Sequence, residues 1–289
     1  MQSRPAEAPA PGRLALDHLT AVDSTPSQLV TLAATLGCAG VCLFMEPMDV
    51  LPLMPQFALY GMTDEARETK ARMEALGVEL DLVYPFTLAG RTQVASFCPA
   101  LETAAWLGAG TVNVLLYDRD PSRRFDIFAA FCTLAQDYGL DTVVEFYPPS
   151  QCPSLAAALE LVTRVNQPGR VGVNVDLLHL MRSGGTLPEL AAAPAEFLLY
   201  GQYCDGAAMC DQESLDIEAS SQRRLAGEGV FDLAGFTAAL PPGLKVSVEL
   251  PQSDAVRAGI PVGARAARAV DGVRRLWAKR DLKPNNVIL

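Results

Sequence analysis

Short apolar segments alternate along the chain with longer segments whose apolar positions recur at helical spacing. Residues 171–176 (VGVNVD) hold closely spaced β-branched side chains, whereas residues 63–77 (TDEARETKARMEALG) begin with acidic residues and end at glycine. An almost continuous apolar run is typical of a strand buried on both faces of a parallel sheet. The pattern predicts eight strands, each followed by a helix, at residues 14–19, 40–44, 78–84, 111–117, 141–147, 171–176, 196–204 and 244–250.

Eight strand–helix units in a chain of 289 residues predict a single (β/α)8 TIM barrel over residues 13–289. A doubly wound sheet is the alternative, but the sequence has no GxGxxG turn after the first strand and no GxxxxGK[ST] loop. Residues 1–12 are polar and rich in proline and alanine, and we expect a flexible arm there. Residues 44–62, rich in methionine and proline, predict a lid, a pocket wall or a loop packed on the barrel.

Composition excludes several classes of partner. The net charge is −10 and no basic stripe is present, so we expect neither nucleic acid nor an anionic membrane surface as a partner. No apolar run is long enough to span a bilayer. The seven cysteines are scattered and form no CxxC pair, which indicates reduced thiols in a cytoplasmic protein.

Four consecutive predicted strands end in, or carry near their ends, an oxygen-bearing side chain. These are Glu145, Asp176, Gln202 and Glu249. In a TIM barrel such positions face one mouth at the carboxyl ends of the strands. Taken singly, each has a simpler role, as an ion-pair partner, a helix cap or an ordinary polar residue. Their joint recurrence on successive strands favours a shared site.

Three carboxylates that converge in a low dielectric repel each other strongly, and a divalent cation offsets that repulsion. An all-oxygen set favours Mn²⁺ or Mg²⁺, with Zn²⁺ or Co²⁺ as alternatives. One of the chain's two histidines, His179, follows Asp176 by three residues. The other, His18, ends the first predicted strand and either faces the same mouth or belongs to the barrel wall.

Five segments resemble the xylose isomerase-like TIM-barrel superfamily, also called the sugar phosphate isomerase/epimerase family. They are VVEFYP (143–148), VGVNVDLLHLMRSGG (171–185), LYGQYCDG (199–206), RRLAGEGVFDL (223–233) and VSVELP (246–251). The resemblance implies metal ligands at Glu145, Asp176, Gln202 and Glu249. The sequence departs from the family pattern at two positions. Ala226 stands where proline is common, and Gln202 stands where the best-known sugar epimerases have histidine.

The resemblance also implies roles for residues near the metal. Glu145, Glu249 and His179 are the implied catalytic groups, the carboxylates moving a proton and His179 polarising the substrate or acting as the base. An arginine of the family's strand-seven loop matches Arg223 or Arg224. We take Arg224 as a candidate substrate contact. Arg182, His18 and Asp205 are further candidates, and the two arginines have the alternative of being plain surface residues.

Four functions follow from this reading. The first is an isomerase or epimerase that acts on a carbohydrate or other polyhydroxy-carbonyl compound through a metal-stabilised enediolate. The second is a lyase of the 3-dehydroshikimate dehydratase type, with His179 as base, which resembles this chain in using Gln on strand seven. An abasic-site endonuclease needs more histidines than the two present. A binding protein with a decayed site is opposed by the intact ligand set. A monomer and a homodimer are both left open.

Overall fold

The computed structural model describes residues 13–281, and the side chains of residues 13–278. Within that range eight parallel strands close into a barrel in chain order, which confirms the predicted single (β/α)8 fold. The strands are β1 (Leu14–Asp17), β2 (Gly40–Phe44), β3 (Glu79–Leu88), β4 (Thr111–Leu116), β5 (Asp141–Glu145), β6 (Val171–Asp176), β7 (Leu198–Tyr203) and β8 (Val246–Val248). The predicted arm, residues 1–12, lies outside the described residues.

Helices connect successive strands. They are α1 (Pro26–Thr35), α2 (Asp64–Leu76), α3 (Cys98–Leu107), α4 (Pro121–Asp137), α5 (Leu155–Val165), α6 (Leu177–Arg182), α7 (Leu187–Ala192), α8 (Leu215–Ser221), α9 (Leu233–Ala239), α10 (Ser253–Arg257) and α11 (Val262–Asp281). Local sequence sets their ends. The Thr25 side chain caps α1 in a reciprocal capping box with Gln28, and Gly77 ends α2 in a left-handed conformation.

A short helix, α6 (Leu177–Arg182), follows β6 directly. The Asp176 carboxylate caps this helix, since its Oδ1 accepts hydrogen bonds from the backbone N–H groups of Leu178 at 2.6 Å and His179 at 3.3 Å. The cap places His179 one turn beyond the strand end and directs its side chain back to the barrel mouth.

Strand alternation fills the barrel axis with polar groups. Val171, Val173 and Val175 share one face of β6, and Asn174 and Asp176 share the other. Asp176 pairs in register with Gln202 of β7, and Asn174 pairs with Glu145 of β5. Side chains that extend from these inward positions therefore meet at the carboxyl ends of the strands.

The segment after β2 packs onto this end of the barrel. Within residues 45–63 the apolar side chains of Met45, Leu51, Met54, Phe57 and Leu59 are buried. Met48 and Leu51 also line a cavity above the strand ends. The segment is thus both a packed loop and part of a pocket wall.

The seven cysteines are all free, as expected from their spacing. Five are buried, and Cys98 and Cys210 are partly exposed. Over residues 13–281, no helix combines the length and the apolar character that a membrane span requires.

Candidate active site

A cavity of about 410 Å³ opens at the carboxyl ends of the strands. One side of it is polar and is formed by Glu145, His179, Arg223 and Glu249. The opposite side is largely apolar, with side chains from the end of β2, the loop after it, and strands β3 and β4. Three of the four predicted strand-end residues either line this cavity or contact a residue that does.

Glu145, the last residue of β5, is held at the cavity by two neighbours. Its Oε2 accepts a hydrogen bond from Nδ2 of Asn113 at 2.5 Å, and its Oε1 lies 3.3 Å from Nε2 of His179. The ring of His179 also packs against Tyr147, with 4.9 Å between the ring centroids. The imidazole is therefore oriented by a carboxylate on one side and an aromatic ring on the other.

Arg223 joins Asp176 to Glu249 inside the protein. Its Nη1 donates to Oδ2 of Asp176 at 2.7 Å, and its Nη2 donates to Oε1 of Glu249 at 3.1 Å. Burial alone would lower the pKa of Arg223, but the two carboxylates raise it well above its ordinary value. The guanidinium is therefore charged and offsets the repulsion between the two acids.

The two acids bound to Arg223 differ in their proton affinity. Burial would raise the pKa of Asp176, but the charges of Arg223 and His179 keep that pKa below its usual value. Burial raises the pKa of Glu249 well above its usual value, and the charge of Arg223 only partly opposes this. Two carboxyl groups with separated pKa values can hold different protonation states at one pH.

Gln202 lies deeper, in a buried chain of polar side chains. Its Oε1 accepts from Nδ2 of Asn174 at 2.6 Å, and its Nε2 donates to Oδ2 of Asp17 at 3.4 Å. The hydroxyl of Tyr84, a cavity residue, donates to Oδ1 of Asp17. Burial raises the pKa of Asp17 to about 7, against the hydrogen bond from Tyr84. Nδ2 of Asn174 also reaches Oδ1 of Asn113 at 3.3 Å, which links this chain to Glu145.

The donor atoms at this mouth fit a divalent cation. The possible ligand atoms of Glu145, Asp176 and His179 all lie within 4.8 Å of one another. Oε2 of Glu249 and Oδ1 of Asn174 are buried in the described structure without a hydrogen-bond partner. A bound metal ion would be coordinated by the three converging ligand atoms. It would also provide a partner for buried oxygens that lack a hydrogen bond. This close group includes His179, which the resemblance treats as a substrate contact. The ligand roles of Glu145, Asp176, Gln202 and Glu249 all stay predictions.

The two arginine candidates lie outside the cavity lining. Arg224 is exposed, and its Nη1 reaches the carbonyl oxygen of Glu228 at 3.3 Å. Arg182 pairs through two nitrogens with Glu218 of α8, both at 2.6 Å. Arg223 and Arg224 are adjacent in the loop after β7. The side chain of Arg223 is buried and lines the cavity, whereas that of Arg224 is exposed.

Asp205 and His18 are also engaged elsewhere. The carboxylate of Asp205 accepts four backbone hydrogen bonds, from Gly206, Gly227, Gly229 and Phe231. It therefore shapes the loop that contains Ala226. His18 is fully buried in the wall between β1 and β2, where Nε2 contacts the carbonyl oxygen of Ser24 at 2.9 Å and Nδ1 accepts from the Phe44 N–H at 3.3 Å.

The geometry agrees with the sequence comparison. A model of the family described as "xylose isomerase-like TIM barrel" matches residues 30–277. The chain belongs to this family. Its xylose isomerase-like barrel places the four predicted residues on, or directly after, the consecutive strands β5, β6, β7 and β8.

Solved structures share the fold of this xylose isomerase-like barrel. An IolI protein with a bound zinc atom has a TM-score of 0.73 and 17% identity, over 93% of this chain and 99% of that one. The probable 3-DHS dehydratase AsbF from Bacillus anthracis has a TM-score of 0.68 and 13% identity, over 92% and 98%. A D-allulose 3-epimerase from Methylomonas sp. has a TM-score of 0.64 and 15% identity, over 93% and 99%. No curated protein matches the chain in sequence.

Sequence reasoning missed several polar residues of this xylose isomerase-like barrel. They are Asp17, Tyr84, Asn113, Tyr147, Asn174 and Asp216. Strand alternation was a usable signal for Asn113 and Asn174, because each lies on the inward face of an apolar strand. Asp216 had no such signal. It lies on α8, a helix that pairs with α6 through Glu218 and Arg182 and whose place over the mouth is a tertiary feature.

Proposed function

We propose that the protein is a metal-dependent isomerase or epimerase that acts on a hydroxy-carbonyl carbohydrate. The observation that carries the proposal is the pair of carboxyl groups, Glu145 and Glu249, that line one cavity from strands three positions apart around the barrel. Moving a hydrogen between or across carbon atoms needs one group that removes a proton and one that supplies a proton.

A divalent cation, most simply Mn²⁺ or Mg²⁺, would be held by Glu145 and Asp176, with Glu249 and Gln202 completing the set and His179 adjacent. The zinc atom of the IolI structure supports a divalent ion. Such an ion would polarise the substrate's carbonyl and acidify the neighbouring C–H bond.

The protein groups supply the proton transfers. Glu145 accepts a hydrogen bond from Asn113 and lies beside His179, so its carboxylate is oriented for use as a base. Glu249 has a pKa raised by burial, which suits it to hold a proton and return it to carbon. His179 can donate a hydrogen bond to the oxygen on which negative charge develops.

A lyase of the dehydratase type is the second candidate. Two observations favour it: Gln202 occupies the strand-seven position, and the Glu145–His179 contact at 3.3 Å orients the imidazole as a base does. Removal of a proton next to a carbonyl and loss of the β-hydroxyl would then use the same cavity. The AsbF likeness supports this alternative at the level of fold.

Solvent exchange separates these functions. The Mn²⁺-loaded protein is incubated in D₂O with D-fructose, D-allulose and L-ribulose, and deuterium at the carbon next to the carbonyl is followed by NMR. An isomerase or epimerase incorporates deuterium and forms a second sugar. In parallel, 3-dehydroshikimate is followed for aromatic ultraviolet absorbance, which rises only for a dehydratase.

Two further results complete the test. If neither reaction occurs and metal analysis of Mn²⁺-soaked protein finds no bound ion, the enzymatic proposal is wrong and a binding protein remains. A variant that lacks a strand-end carboxyl group provides the matched negative control for any exchange that is observed.

A further inference from the structure

Negative groups outnumber positive groups around the cavity. Glu145, Asp216 and Glu249 line it, and Asp176 lies directly behind Arg223. Arg223 is the only lysine or arginine among the described residues that line the cavity. Arg257 lies beyond Val50 and Leu51 in a separate shallow depression, where its guanidinium pairs with Asp254 at 3.3 Å.

The guanidinium of Arg223 is fully engaged by the protein. Its Nε donates to the carbonyl oxygen of Ala219 at 3.0 Å, and Nη1 donates to both Asp176 and the Glu249 carbonyl oxygen. Its Nη2 donates to the Glu249 carboxylate. A bidentate contact with a phosphate or carboxylate would therefore break hydrogen bonds to two buried acids.

The positive charge of a bound cation and the N-terminus of α6 are also balanced by carboxylates of the protein. A divalent cation and Arg223 together carry three positive charges, and the carboxylates of Glu145, Asp176 and Asp216 balance them without counting Glu249. The first free N–H groups of α6 point to Oδ1 of Asp176, which caps them. The site thus keeps no positive excess, and the N-terminus of α6 is not open to an anionic group.

The side of the cavity opposite His179 and Arg223 is mostly hydrocarbon, although Tyr84 and Tyr117 also line it. Its apolar side chains are those of Phe44, Met48, Val50, Leu51, Pro85 and Leu115. A hydroxyl group held against these apolar side chains would lose its water without gaining a hydrogen bond, whereas a methyl or methylene edge would be favoured there.

We infer that the substrate is a neutral hydroxy-ketone with a hydrocarbon edge, without a phosphate or carboxylate group. This inference rests on the proposed function and narrows it. The hydroxy-carbonyl end contacts the polar side at Glu145, His179 and Glu249, and the deoxygenated edge packs between Phe44 and Leu115. The 3-dehydroshikimate reaction is disfavoured on the same ground, because that compound bears a carboxylate.

Three probes that differ only at carbon six test the inference: D-fructose, 6-deoxy-D-fructose and D-fructose 6-phosphate. Deuterium uptake by the Mn²⁺-loaded enzyme in D₂O gives kcat/KM for each. We expect 6-deoxy-D-fructose to exceed D-fructose by about tenfold, because the C6 hydroxyl of D-fructose would lose its water against apolar side chains without gaining a hydrogen bond. We expect the phosphate ester to fall at least a further hundredfold, on the order of the cost of a desolvated anion without a partner.

The possible results are distinguishable. Equal or better use of the phosphate ester would overturn the inference and leave the proposed function standing. Preference for D-fructose over its 6-deoxy analogue would overturn the inference that the substrate has a hydrocarbon edge. Absence of exchange with all three probes would overturn the proposed function, and the inference with it.

A lysine placed on the apolar side of the cavity tests whether the lack of a free positive charge is what excludes anionic substrates. Val50 lines the cavity and is 70% exposed, so Val50→Lys should fold normally. We expect it to raise kcat/KM for the phosphate ester about tenfold or more and to lower that for the 6-deoxy sugar. Val230→Lys is the matched control, since Val230 is 63% exposed and does not line the cavity. If Val50→Lys and Val230→Lys use the phosphate ester equally poorly, a missing cation is not what excludes anions.

Discussion

Nη1 of Arg223 lies 2.7 Å from Oδ2 of Asp176, and neither side chain is more than 1% exposed. The same guanidinium reaches Glu249, so a single cation holds two of the four predicted metal ligands. Removal of one partner from such a buried pair leaves an uncompensated charge, which costs far more than the intact pair contributes. The site's stability and its affinity for a cation are therefore linked through this arginine.

Replacement of Arg223 tests that link. Arg223→Gln should destabilise the metal-free protein by about 3–5 kcal/mol, because Asp176 and Glu249 lose their counter-charge. Saturating Mn²⁺ should restore much of the loss, since the cation replaces the guanidinium. Urea unfolding with and without Mn²⁺ measures both effects.

Arg224→Gln is the control for Arg223→Gln, because Arg224 is the exposed neighbour. It should unfold like the wild type under both conditions. An Arg223→Gln protein that is as stable as the wild type without metal would contradict a charged, strongly coupled Arg223.

Glu249→Gln removes a group that can hold and release a proton while it keeps the size of the side chain. Activity should fall on the order of 10²–10⁴-fold, the usual contribution of a positioned acid or base. The far-ultraviolet circular dichroism spectrum should not change, because the barrel core does not depend on this group. Glu160→Gln, at an exposed position of α5, is the control and should keep wild-type exchange rates. Full activity of Glu249→Gln would remove Glu249 from the mechanism.

Asp17 orients Gln202, and its replacement should weaken metal binding. In Asp17→Asn one carboxylate oxygen becomes an NH₂ group that faces Nε2 of Gln202, so two donors meet. A rotated Gln202 amide would then place Nε2 against Nδ2 of Asn174. We expect Mn²⁺ affinity to fall about 10–100-fold, as for other residues that orient metal ligands.

Tyr84→Phe is the comparison for Asp17→Asn. It removes the hydroxyl bonded to Asp17 but leaves the Asp17–Gln202 contact, so Mn²⁺ affinity should change less. Isothermal titration calorimetry with Mn²⁺ alone measures both variants. Equal affinity in Asp17→Asn and the wild type would show that Gln202 is not oriented through Asp17.

His18 should stay neutral across most of the acid range of the folded protein. Burial lowers its pKa from 6.5 to about 4. Nδ1 accepts a hydrogen bond from the Phe44 N–H, so a proton on Nδ1 would face another donor. Between pH 6.5 and about 4 the unfolded chain binds a proton here and the folded chain does not.

Stability should therefore fall as the pH drops through that window, by about 3 kcal/mol from His18. Nitrogen NMR of the imidazoles measures this directly, because the chain has two histidines and His179→Gln assigns the remaining signal. A His18 titration midpoint near 6.5 in the folded protein would contradict the buried, hydrogen-bonded placement.

Local pattern predicted most elements to within a few residues. The strand at 40–44 and the strand at 171–176 have the predicted bounds, and Gly77 ends a helix as expected. The predicted strand at 14–19 ends instead at Asp17, because Asp17 caps a short 3-10 helix, His18–Ala21. The cap depends on a side-chain hydrogen bond that competes with the strand and that alternation does not reveal.

The sequence by itself determined the barrel and the four strand-end positions, Glu145, Asp176, Gln202 and Glu249. Both follow from periodicity, since eight apolar strands in one order place their carboxyl ends at one mouth. Tertiary structure alone decided which groups meet there. Arg223 rather than Arg224 enters the site, and the apolar side is formed by a loop from a different part of the chain. Loops follow no fixed period, so the direction of their side chains is set by packing and by charge partners that lie far away in the sequence.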